Sequence, residues 1–119
     1  MSTDEPVTIV TCSGISNTGK LTTQAGTMLL RRYGGTIEAC VAATRSATSL
    51  ENAVRYADRI LVLDGCTDCC GRKKVQALGV ELHLHIIATE CGIVKNGMAE
   101  PRFEEIEQVT AAVLAAIRE

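Results

Sequence analysis

Apolar and polar positions follow two different periods along this chain, and the switches between them mark out its elements. "VTIVTC" (7–12) is short, apolar and rich in β-branched residues, the signature of a buried strand. "SGISNTG" (13–19) reads as a loop, with Ser16 or Asn17 able to cap the helix that follows. That helix sets Leu21, Ala25, Met28 and Leu29 on one face and stops at Gly34-Gly35. "TIEACVA" (36–42) is a second strand. Thr48 to Glu51 has capping-box spacing and opens a helix running to Tyr56 or Asp58. "RILVLD" (59–64) is the third strand and the most hydrophobic. A short helix spans Cys70 to Leu78 and ends at Gly79, and "VELHLHIIAT" (80–89) is the fourth strand. Pro101 lies near the first turn of a last helix, whose buried face carries Ile106, Val109, Val113 and Ile117.

Strand and helix alternate four times. The pattern predicts an α/β fold: a three-layer α/β/α sandwich around a four-stranded, mainly parallel sheet, Rossmann- or flavodoxin-like. The chain has 119 residues and shows no repeat, linker or low-complexity segment, so it reads as a single domain over 1–119 with a disordered tail at 1–6. Apolar residues make up 46% of it, but with one Phe, two Tyr and no Trp the core must be built from Val, Ile, Leu and Ala. That palette suits parallel strands covered by helices. A net charge of −2 gives no general attraction to nucleic acid or anionic lipid. No apolar run approaches the ~20 residues of a membrane span. "MSTDEP" lacks the charged start and apolar stretch of a signal peptide, so the expected location is cytoplasmic, where thiols stay reduced. Six cysteines in such a chain point to ligands or reactive thiols rather than disulfides.

Three of the six crowd into "LDGCTDCCGRKK" (63–74). Cys12 ends the first strand, Cys40 lies near the end of the second, Cys66, Cys69 and Cys70 follow the third, and Cys91 follows the fourth. In a parallel sheet these ends share one edge, the edge where open α/β sheets bind ligands. The helices after Cys12 and Cys66 turn their N-termini toward it, with Lys20, Arg72 and Lys73 in or near their first turns. Such surroundings favour the thiolate, the form that binds metal. Singly, Cys40 and Cys91 read as packing residues, since cysteine is often a small buried hydrophobe.

"CSGISNTG", a cysteine near the end of the second strand, and "DGCTDCCGRK" together resemble the DGC domain family, named for the motif present here as Asp64-Gly65-Cys66. The resemblance runs from Cys12 to about Val94. It implies a zinc ion held by four cysteines, which by position are Cys12, Cys40, Cys66 and Cys70. It implies no reaction. Two further thiols depart from the pattern, Cys69 and Cys91, and either could take a ligand's place. An iron–sulfur cluster is the alternative cofactor for a four-thiolate set.

Rival motifs are weaker. Gly14 to Leu21 matches the phosphate-binding loop except at its last position, where Leu21 replaces the metal-binding hydroxyl. Cys66 and Cys69 form a C-x-x-C, so the alternative function is a thiol-dependent redox or sulfur-transfer enzyme using the same cysteines. His83 and His85 alternate on one face of the fourth strand and read as satisfied or solvated rather than as ligands. Asp64 is expected to orient its loop by accepting backbone N–H groups, or to support a ligand from behind.

Overall fold

The computed structural model describes residues 5–118. Residues 1–4 of the expected tail lie outside the described residues. The elements are β1 (Val7–Thr11), α1 (Asn17–Arg32), β2 (Ile37–Ala42), α2 (Ala47–Val54), β3 (Arg59–Asp64), α3 (Cys70–Ala77), β4 (Leu84–Ile87), a 3₁₀ turn (Ala88–Cys91) and α4 (Phe103–Arg118). The four strands form one all-parallel sheet in the order β2-β1-β3-β4. β1 and β3 occupy its centre and every residue in them is buried, as the β-branched runs require.

Residue parity along the central strands divides the core in two. Val7, Ile9, Leu61 and Leu63 pack with Leu21, Ala25 and Leu29 of α1 and with Ile106, Val109, Val113 and Ile117 of α4. Val10, Ile60 and Val62 pack on the opposite side with Leu50 and Val54 of α2 and Val75 of α3. The result is a three-layer α/β/α, flavodoxin-like fold. The strand order reverses between β1 and β3, so the loops after these two strands flank the crevice in which such folds bind ligands.

α1 begins at Asn17 and is capped by Ser16, one of the two expected candidates, whose Oγ accepts from Gly19 N at 3.1 Å. Two other elements differ from the sequence expectation. α2 is capped by Ser46, which accepts from Ser49 N at 3.2 Å, rather than by Thr48, and it ends at Val54. Glu51 instead pairs along the helix with Arg55 at 3.3 Å. β4 keeps only four of the ten expected residues. His83 explains its start: the Ile60 N–H is taken by the His83 ring Nδ1 at 2.9 Å, so the ladder cannot extend toward Val80.

Candidate metal centre

Asp64 is the last residue of β3 and shares the face of Ile60 and Val62, beneath α3. Its carboxylate is fully buried. Oδ1 accepts from Gly71 N at 2.7 Å and Oδ2 from Arg72 N at 3.2 Å, so it takes backbone N–H groups as expected, but those of the first turn of α3, which it caps from the strand below, rather than those of the loop. The helix needs this, because its own N-cap residue, Cys69, makes no side-chain capping bond. Close packing holds the intervening loop in place. A Cβ on Gly65 would stand 2.8 Å from the carbonyl carbon of Thr18 in the first turn of α1.

The same carboxylate also meets His85. Val62 and His85 are register partners, so both side chains lie on the α3 face, and His85 Nε2 reaches Asp64 Oδ2 at 2.7 Å. Cys69 completes the group. Its φ of 52° lies in the left-handed region and its residue is only 4% exposed. One ligand atom each from Asp64, Cys69 and His85 lie within 4.8 Å of one another, and no other group of three or more His, Cys, Asp or Glu does so among the described residues. His83 stands apart, satisfied by Ile60 N. His85 is satisfied too, but its partner makes it part of a donor set that alternation along β4 did not reveal.

The cysteines fall into distinct environments. Cys40 pairs with Ile9 and therefore faces α1, across the sheet from His85. It lies three residues short of the level of Cys12, about 10 Å along the strand. Its sulfur packs where a Cβ on Gly26 would come within 2.6 Å of it. Cys12 follows β1, with Thr22 Oγ1 at 3.8 Å from its sulfur. The Cys66 sulfur lies 3.6 Å from Asp68 Oδ2 and 3.6 Å from Lys95 Nζ. Cys70 begins α3 and is exposed. Cys91 Sγ donates to Ile87 O at 3.5 Å, and its backbone oxygen accepts from Gln108. No three of Cys12, Cys40, Cys66 and Cys70 gather their sulfurs within 4.8 Å.

Burial, more than the basic residues, sets the thiol chemistry where a shift is resolved. Cys40 is pushed up to about 11 by burial. Cys69 is raised first by burial, an effect opposed by Arg72 and Lys73 and reinforced by Asp64 and Cys66. Cys91 is raised by burial and by Glu90. The expectation of thiolate-favouring surroundings is thus reversed at Cys69, although two basic side chains do pull toward it. The phosphate-loop resemblance finds no use here. Lys20 Nζ bonds Met98 O and Glu100, each at 2.8 Å, and Leu21 is buried in the core.

One sulfur, one imidazole and one carboxylate form a donor set that fits a borderline transition metal and suits calcium or magnesium poorly. Fold and site together define a flavodoxin-like α/β domain with a candidate metal-binding group at the carboxyl edge of its sheet. A family model described as the DGC domain matches residues 8–113, nearly the whole chain. The chain belongs to the DGC domain family. No curated protein and no solved structure matches it. No helix among the described residues is long and apolar enough to cross a membrane.

Proposed function

We propose that this protein binds zinc at the carboxyl edge of its sheet, through Cys69, His85 and Asp64. The observation that carries this reading is the convergence of three chemically different ligand atoms within 4.8 Å. Family membership supports a metal-binding role as well. Zinc accepts sulfur, nitrogen and oxygen together, and a site with three protein ligands keeps a fourth position open. An ion bound this way can polarise a water or another ligand at that position. An iron–sulfur cluster calls for several thiolates around one point, whereas this group offers one sulfur. Binding releases a proton from Cys69, because only the thiolate coordinates, and it requires His85 and Asp64 to exchange their mutual hydrogen bond for the ion. Six free thiols are in keeping with a reducing, cytoplasmic setting.

The set implied by resemblance, Cys12, Cys40, Cys66 and Cys70, is the rival proposal for the same ion. Its weakest member is Cys40, which stops about 10 Å short of Cys12 along the sheet and faces away from α3, where Cys70 lies. Zinc titration of single variants separates the two sets. Cys69→Ala and His85→Ala are expected to weaken zinc at least about tenfold, or about 1.4 kcal/mol, while Cys12→Ser and Cys70→Ser stay near the parent. The reverse ranking would transfer the ion to the four-thiol set.

A further inference from the structure

Cys69 is also the second thiol of a C-x-x-C. Cys66 to Cys69 closes as a tight turn, with Cys69 N donating to Cys66 O at 3.1 Å. The first and last Cα of such a turn lie within about 7 Å. A disulfide spans about 4.4–6.8 Å between Cα atoms. Both cysteines are free. They differ in access: Cys69 is 4% exposed, whereas Cys66 is half-buried at the loop surface. Lys95, whose ammonium touches the Cys66 sulfur, also lines a polar cavity of about 400 Å³ with Asn17, Asn96, Glu100, Arg102 and Glu105. That cavity presents both charge signs and amides, a lining suited to a small zwitterion. Lys95 thus links this cavity to Cys66, the more exposed of the two thiols, so an oxidant carried by such a molecule meets Cys66 before Cys69.

We propose that Cys66 and Cys69 form a redox switch through which a low-molecular-weight disulfide controls metal occupancy; this rests on the assignment of Cys69 as a ligand. The Cys66 sulfur attacks one sulfur of the small disulfide. The S–S bond of the small molecule breaks, a Cys66 mixed disulfide forms, and one small thiol leaves with the Cys66 proton. The Cys69 sulfur, a thiolate while it holds the ion, then leaves the metal and attacks the Cys66 sulfur, expelling the second small thiol, which takes its proton from solvent. Two protein thiols are oxidised by two electrons in all, and one disulfide is reduced to two thiols. The Cys69 sulfur is then no longer a donor, and Asp64 and His85 alone are too few to hold the ion. A dithiol reductant reverses the sequence.

The test uses the zinc-loaded full chain and oxidised glutathione as the probe. Zinc release is read with a chromogenic chelator, and disulfides are mapped by mass spectrometry after alkylation. The expected result is loss of bound zinc together with a Cys66–Cys69 bond, both reversed by dithiothreitol, while Cys66→Ser keeps its zinc under the same oxidant. Zinc retained despite that bond, a bond joining other cysteines, or equal release from Cys66→Ser would overturn the switch alone. A parent that takes up no zinc yet forms the bond would overturn the switch together with the reading beneath it.

Discussion

Cys40 shows at the scale of one residue how little a cysteine's position in sequence says about its role. Its thiol is pushed from an ordinary 9.0 to about 11 by burial against α1. In the folded chain it keeps its proton through a pH range in which the unfolded chain loses it. Stability from this group is therefore complete below about pH 9 and falls as pH rises toward about 11, by about 2–3 kcal/mol in all. Urea denaturation of metal-free protein at about pH 8 and about pH 10.5 should show a loss that Cys40→Ala reduces. A variant with the parent's full pH dependence would show that this thiol is not its source. The sequence placed Cys40 near a strand end, which is correct, but not on a face. Alternation gives relative parity within a strand, whereas facing depends on register with Ile9. The same gap hid His85. Asp64 and His85 were each legible as polar residues near the edge, but their 2.7 Å contact needed the β3–β4 register.

At the scale of elements, α3 depends on a residue outside it. Asp64 satisfies the N–H groups of Gly71 and Arg72, and a Cβ added to Gly71 would stand 2.9 Å from its Oδ1. Asp64→Ala should destabilise the metal-free chain by about 2–4 kcal/mol, since it leaves two helix N–H groups without their acceptor. Asp64→Asn should recover part of this, because one amide oxygen can still accept. Thermal or urea unfolding followed by circular dichroism reads both. Equal stability of all three proteins would mean that water caps α3 adequately. That Asp64 accepts backbone N–H groups was legible from a strand-ending Asp before a short loop, but that the groups belong to α3 was not. The cap of α2 was less so, because Ser46, Thr48 and Ser49 are all chemically able to serve. The box spacing from Thr48 to Glu51 matched a motif, but the chain leaves β2 and turns early enough for Ser46 to take the position.

At the scale of the molecule, the alternation of strand and helix made the layers readable, because parallel strands need crossovers and crossovers need covered faces. The order β2-β1-β3-β4 was not readable, since similar Val/Ile/Leu runs could occupy either central place. On the proposed reading, metal and fold are coupled at this scale. Zinc at about 100 times its dissociation constant should stabilise the native state by about 2.7 kcal/mol. For a domain of this size that is a rise of about 10 °C in Tm. Differential scanning calorimetry should show the rise in the parent, its reversal by a chelator, and its absence in Cys69→Ala. An unchanged parent Tm at saturating zinc would argue against a native-state site. The central position of β1 also matters for timing. It is made first, but one of its two partners, β3, begins 52 residues later, at Arg59 against Val7. A ribosome adding about 5–20 residues per second needs several seconds to cross that interval. Throughout it, the "VTIVT" segment has an unpaired edge, so the newborn chain is most exposed to wrong pairing before the candidate metal site exists at all.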